Sequence, residues 1–364
     1  MIPTLMRGLN ERDMNAVVNS YELKEFYYPT LFPLRENYTL TWKTLEAQAG
    51  LRIAADLVAR GASVDKKTRE AIARLQGDIP KISVKRVKDD EALNEYDIML
   101  AMTSQNPDLR AIVEFWAEDT NFCWNAVAAR IEWLALTQIS LGKIPVTADN
   151  NVSVITEYEV DYQIPAERKL GTDLAWSNPQ TAKPISADFK AILKKAKKDG
   201  VSLKFAFMNS DTFANFAECA EVQRIAASFA QNALNIQQTP SVEQVNTALA
   251  RLPYLKGLQI VVIDQDITLE LADGTRKTGN PFADDVVMFS ESKVLGTTFW
   301  KKPADANVTG SVSIKAQNGH TLIKKFAVEE PLQEVTMGIA NAFPAWVTSQ
   351  RSWLLDTAHT DWSH

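Results

Sequence analysis

The densest apolar pattern in the chain lies between residues 91 and 141. Leu109, Ile112, Val113, Trp116, Cys123, Val127, Ile131, Leu134 and Leu141 recur mostly three and four positions apart, the spacing of one helical face. Asn106-Pro107-Asp108 offers a capping side chain, a proline where no amide hydrogen is needed, and an acid at the positive helix end. Gly142 supplies a stop. The pattern predicts one helix of about 34 residues, on the order of 50 Å long. Helices of that length are unusual in compact enzymes and serve as a spine on which other elements are laid.

Upstream the period changes to two. Residues 38–45 (YTLTWKTL) and 79–87 (IPKISVKRV) both alternate as strands do. In the second run Ile82, Val84 and Val87 are expected on one face, with Lys81, Lys85 and Arg86 on the other. Between the two runs lies the polar stretch VDKKTREAIARL, with Gly61 before it and Gly77 after it. Strand, polar excursion, strand reads as a long two-stranded loop. An isolated hairpin of this length is marginal in water and needs a surface to lie on. Residues 1–40 show little periodicity but hold Pro3, Pro29, Pro33 and five scattered aromatics (Tyr21, Phe26, Tyr27, Tyr28, Phe32). Disordered tails are poor in aromatics, so this segment is expected to be an extended arm docked on a neighbour.

After the long helix, residues 143–164 read as a hairpin turning at Asp149-Asn150-Asn151. Its second strand places Val152, Val154, Tyr158, Val160, Tyr162 and Ile164 on one face. A second region starts near Thr172. Ser186 is expected to cap a helix over 187–198 that ends at Asp199-Gly200, followed by a strand at 201–208. One helix is expected after Asn209-Ser210-Asp211, running through Phe213, Phe216, Val222 and Ile225, and another over 241–252. LQIVVID (258–264) and DVVMFS (285–290) read as buried strands, and Asp273-Gly274 as a hairpin turn. Residues 331–358 look extended. Helices mixed with hairpins and buried strands give an α+β class.

Charge sharpens this picture. The 364 residues carry 39 Lys+Arg against 45 Asp+Glu, a net −6. Residues 52–88 alone hold ten cations and four acids, a local +6 that leaves the remainder near −12. A basic finger on an acidic body suggests an arm lying on another copy of the same chain, through Arg60, Lys66, Lys67, Arg69, Arg74, Lys81, Lys85 and Arg86. Net acidity argues against nucleic-acid binding by the whole surface. No apolar run of about 18 residues suggests a membrane span, and the first residues lack a signal-peptide core. Cys123 and Cys219 are expected to be two buried thiols rather than a disulfide.

Catalytic signatures are sparse. The histidines are His320, His359 and His364; there is no H-E-x-x-H, paired C-x-x-C, G-x-S-x-G, phosphate loop or G-x-G-x-x-G. Cofactor and metal are therefore not expected, and an enzyme is not the favoured reading. Asp264 and Asp266 follow a strand and are the best candidates for a metal-dependent two-domain enzyme, the alternative of another class. Trp116, Phe122, Trp124 and Trp133 read as core, and Lys194, Lys195, Lys197 and Lys198 as a solvated helix end.

Three passages carry a family resemblance. GDIPKISVKR followed by NAVAARIEWLALTQISLGKIPV is similar to the loop–spine–strand passage of the lambda-type major capsid protein family (capsid protein E). Trp176-Ser177-Asn178-Pro179 resembles that family's entry to its second domain, and DGTRKTGNPFADDVVMFSESKVLGTTFW a later passage. In that passage Ala283-Asp284-Asp285 stands where the family tends to have Pro-Asp-Gly, and Trp300 where it has Gly. The resemblance implies the HK97-like capsid fold: an N-terminal arm (1–40), an E-loop region (41–90), a peripheral domain with spine helix and long hairpin (91–172), an axial domain (173–330) and a returning segment (331–364). It further implies a tailed-phage major capsid protein that assembles as hexamers and pentamers of an icosahedral shell around double-stranded DNA, made in the host cytoplasm and located in the virion capsid. A separate scaffolding protein and a portal are the expected partners, and an encapsulin-type compartment subunit is the nearest alternative.

Overall fold

The computed structural model describes residues 4–6, 9–46, 73–103, 109–147, 150–151, 158–227, 238–255, 257–270, 274–308 and 313–364. In chain order the helices are α1 (Glu11–Val18), α2 (Tyr28–Leu31), α3 (Asp90–Thr103), α4 (Leu109–Leu141), α5 (Lys190–Lys198), α6 (Ser210–Glu218), α7 (Ala220–Ala226) and α8 (Val242–Arg251). The strands run β1 (Leu34–Glu36), β2 (Thr41–Glu46), β3 (Ala73–Asp78), β4 (Lys81–Lys88), β5 (Lys143–Val146), β6 (Tyr158–Asp161), β7 (Lys169–Gly171), β8 (Phe205–Asn209) and β9 (Gln259–Ile263). They continue as β10 (Ile267–Glu270), β11 (Arg276–Gly279), β12 (Val286–Ser290), β13 (Gly296–Lys301), β14 (Ile314–Asn318), β15 (Thr321–Glu329), β16 (Leu332–Trp346) and β17 (Trp353–Asp356). Two compact units result: residues 1–42, 77–135 and 297–345, and residues 43–76, 136–296 and 346–364.

The first unit is built on a six-stranded sheet of order β1-β13-β16-β15-β14, with β4 also pairing β16. The 15-residue β16 pairs antiparallel with β15 from Leu332↔Glu329 to Ala340↔Thr321, and with β4 from Glu334↔Lys88 to Asn341↔Lys81. The extended tail expected at 331–358 is thus two strands, and the longer lies mid-sheet. The spine helix measures 33 residues against the roughly 34 expected. Its expected cap, Asn106-Pro107-Asp108, lies outside the described residues. Cys123, Val127 and Ile131 are fully buried. A separate helix, α3, precedes it and stacks Tyr96 on Phe115 at 5.4 Å.

Two expectations for this unit need correction. Residues 1–40 are not an extended arm: they carry α1 and α2, and Met6, Met14, Val18, Tyr28, Leu31 and Phe32 are buried in their own chain. Asn10 caps α1 by accepting the Asp13 amide, which satisfies one orphan donor. The pairing of the basic strand also differs. The strand at 38–45 forms its hairpin with β3, whereas β4 leaves that hairpin and joins β16. Val87 is exposed and Arg86 shares the partly buried face with Ile82, Val84 and Lys88, because strand side chains alternate strictly.

The second unit has a five-stranded sheet of order β7-β17-β12-β8-β9, with β8∥β9 and β17∥β7 parallel and the other pairs antiparallel. β12 is buried at every position, as its continuous apolar run implies. One core surrounds Trp176, Phe189, Phe216, Phe289 and Trp353. The helix expected to start after Ser186 starts earlier, with a π-helical turn over Pro184–Phe189 leading into α5. Glu221 caps it in place of Ser186: its carboxylate accepts the Ile185 amide at 2.9 Å and the Ser186 amide at 3.2 Å. Gly200, at φ +73°, closes α5, with the Val201 amide reaching Ala196 O. The single helix expected after Asn209 is broken at Cys219, whose backbone turns extended, into α6 and α7. Ser241 and Gln244 form a capping box at α8. In the 143–164 hairpin, Tyr162 and Ile164 point inward as expected; residues 152–157 of its second strand lie outside the described residues.

Candidate assembly surface

The basic finger is anchored at its base by packing. Trp42 of β2 stacks on Phe343 of β16, ring centroids 5.5 Å apart and 13° from parallel. Gly77 of β3 lies beneath that indole, where a Cβ would stand 2.9 Å from Trp42 Nε1. The Ile79 amide donates to Leu40 O at 2.7 Å and closes the neck.

The cations of the finger fall into two groups. Arg60, Lys66, Lys67 and Arg69 lie outside the described residues, and Arg74 is on β3. Lys81, Lys85 and Arg86 are on β4. Arg86 pairs with Glu118 at 3.1 Å and Asp119 at 3.4 Å, and its guanidinium covers the Phe122 ring. Lys88 repeats the arrangement one step on, 3.2 Å from Asp119 and over Phe115. Lys81 shares Asp305 with Lys324, at 3.4 and 3.7 Å. Burial opposes ionisation of Asp305, yet the two lysines hold its carboxyl below the usual range. Lys85 is exposed. The sequence signal for Arg86 and Lys88 as internal partners was present in the spine's Glu118-Asp119 and Phe122, but only the register of β4 against the helix reveals it.

Beneath this face lies a buried polar network that periodicity does not disclose. Lys325 is fully buried and donates to Thr336 Oγ1 directly across the β15–β16 pair at 2.5 Å. Burial lowers its pKa, while Glu334 and Asp119 oppose that shift. Glu334, itself buried, accepts from Thr4 Oγ1 at 2.6 Å and from the Leu5 amide at 2.9 Å, tying the N-terminal residues to the sheet. Glu132 of the spine accepts the Tyr27 and Tyr28 amides at 2.8 and 2.6 Å, at the start of α2. Burial pushes its carboxyl up to about 7 against those two amides. His320, packed on Tyr28 and Trp124, is driven by burial down to about 4.

These groups do not make an active site. Among the described residues no three His, Cys, Asp or Glu side chains are grouped to hold a metal. Asp264 and Asp266 are exposed just after β9. In the second unit Ser363 Oγ and the Asp356 carboxylate meet the same nitrogen of His359, at 2.9 and 3.1 Å. A nucleophile–base–acid relay needs them on opposite nitrogens. Asp188, pushed up by burial to about 6, accepts from Trp176 Nε1 and Thr172 Oγ1 and serves that core. Cys123 and Cys219 are free and buried, as expected. Among the described residues no helix is long and apolar enough to cross a membrane.

Known proteins place this arrangement. The model of the phage major capsid protein E family matches residues 12–348. The chain belongs to that family. No curated protein matches it in sequence. Among solved structures it is similar to a protein described as the capsid protein of a prophage (E. coli CFT073), 18% identical, TM-score 0.59, covering 96% of this chain and 99% of that one. It is also similar to a phage-related protein from Bordetella bronchiseptica RB50, 13% identical, TM-score 0.55, covering 95% and 96%. The fold is therefore the HK97-like one, α+β, of phage capsid proteins, and this family member is a phage major capsid protein that self-assembles into the capsid of the virion.

Proposed function

We propose that this family E protein forms hexamers and pentamers closing an icosahedral shell around double-stranded DNA without reading its sequence. A separate scaffolding protein and a portal take part in assembly, which proceeds in the bacterial host cytoplasm, and the protein has no catalytic role. The division into N-terminal arm, E-loop region, peripheral domain, axial domain and returning segment is carried over as a working map. The family match across residues 12–348 carries the reading.

In support, the cations of residues 52–74 outnumber the acids six to three on a chain whose net charge is −6. Complementary charge fixes register more than it adds affinity, and many weak repeated contacts make a strong shell. Purified protein, alone or with its scaffolding partner, forms capsomers or closed particles in electron micrographs. A monodisperse monomer under every assembly condition overturns the reading. Particles containing DNA fit it; particles filled with a cargo protein point to a compartment instead.

A further inference from the structure

Helix α3 carries two apolar faces where one would hold it in place. Its inner face, with Leu93, Tyr96, Met99 and Leu100, packs in the first unit's core. Its outer face carries Ile98 at 59% exposure and Met102 at 74%. A helix packed by one stripe has no need of a second exposed one. Glu91, Glu95, Ile98 and Met102 follow one another at spacings of four, three and four, so they form a single straight stripe, acidic at its start and apolar at its end. Asp90 and Asp97 flank it, and none of these four acids is in an ion pair among the described residues. No cation occurs in α3. Acids elsewhere in this unit, Asp119, Asp305 and Glu118, are matched to Lys88, Lys81 and Arg86.

The chain contains one segment with the complementary chemistry. Once Lys81, Arg86 and Lys88 are matched at home, residues 52–74 remain with Arg52, Arg60, Lys66, Lys67, Arg69 and Arg74 against Asp56, Asp65 and Glu70. Ile53, Leu57, Val58 and Ile72 are interspersed among them. We propose that the outer stripe of α3 is the seat for residues 52–74 of a second copy of this chain. The inference rests on the shell reading and adds to it the acceptor surface. The cations meet Glu91 and Glu95, and the interspersed aliphatic residues cover Ile98 and the adaptable Met102.

The test co-expresses an affinity-tagged Ile72→Cys chain with an untagged Ile98→Cys chain, both full length. Cys123 and Cys219 are buried and do not compete. Particles captured by the tag are expected to hold a disulfide-linked tagged–untagged pair that reductant dissolves. Glu91→Lys with Glu95→Lys in the untagged chain should lower that product at least tenfold, and Lys66→Glu with Lys67→Glu in the tagged chain should restore it. Particles that form without the linked pair overturn the proposal and leave the shell reading intact. So does a disulfide that appears only when both cysteines are in one chain, or a product indifferent to the charge changes. A wild-type chain that never assembles overturns both.

Discussion

Gly338 of β16 faces Cys123 of the spine helix so closely that a Cβ at 338 would stand 2.7 Å from the Cys123 carbonyl oxygen and 3.1 Å from its Cβ. The helix backbone, not a flexible side chain, fills the space. Gly338→Ala must push α4 off the sheet, and overpacking of this kind costs on the order of 1–3 kcal/mol. A fall in thermal midpoint for Gly338→Ala is expected. An unchanged midpoint would mean that the helix and sheet do not meet as described.

Glu132 and His320 both touch Tyr28, from its amide and its hydroxyl, and their protonation states pull in opposite directions. The Glu132 pKa is raised from 4.5 to about 7, so its contribution is fully present below 4.5 and is lost as pH rises to 7. The His320 pKa is lowered from 6.5 to about 4, so its contribution is present above 6.5 and is lost as pH falls through 4. Each effect amounts to roughly 3 kcal/mol at most. Relative to wild type, Glu132→Gln should gain stability as pH rises from 4.5 to 7, and His320→Gln as pH falls from 6.5 to 4. Denaturant midpoints across pH 4–8 check both signs, and parallel curves for variants and wild type would remove the argument.

Glu334 and Lys325 are a diagonal pair in the β15–β16 ladder and are both buried. Removing one buried partner leaves the other uncompensated, a loss of about 3–5 kcal/mol, whereas removing both is far milder. Glu334→Leu alone should destabilise more than Glu334→Leu with Lys325→Met. The single variant should also free Thr4 and Leu5, and N-terminal proteolysis would show it. A double variant no better than the single would exclude coupling between the two.

The thiols should be silent. Burial raises Cys123 to about 11 and Cys219 to about 12, so almost no thiolate forms at neutral pH. Neither should react with a thiol reagent until the protein unfolds, and fast labelling of the native protein would contradict the burial.

What could be read in the sequence was what repeats. The spine's three-and-four spacing and the buried runs of β9 and β12 announce themselves, because a whole face of each enters a core. Residues 1–40 do not, since Met6, Met14, Tyr28 and Phe32 enter the core singly and at no fixed interval. α3 was hidden by the stronger signal of α4 beside it, and its exposed Ile98 and Met102 blur its amphipathicity. The family's local passages were legible as strings, whereas the internal use of Arg86 and Lys88 depends on which face of β4 meets the spine. Buried Glu132 and Lys325 leave no trace in periodicity, as a charged letter in a chain looks like surface.

The strand at the middle of the first sheet, β16, is the second last of the chain, and its partner β4 lies some 250 residues earlier. Pairings so distant in sequence form slowly, because a long loop must close before any contact stabilises it. During synthesis β4 has no partner until β16 leaves the ribosome, and its basic edge is open meanwhile. The bulk of the second unit, residues 136–296, is made before that moment and can pack its core around β8, β9 and β12 first. A subunit interrupted before residue 332 therefore lacks the central strand of its first sheet, so an incomplete copy is poorly equipped to enter a growing particle.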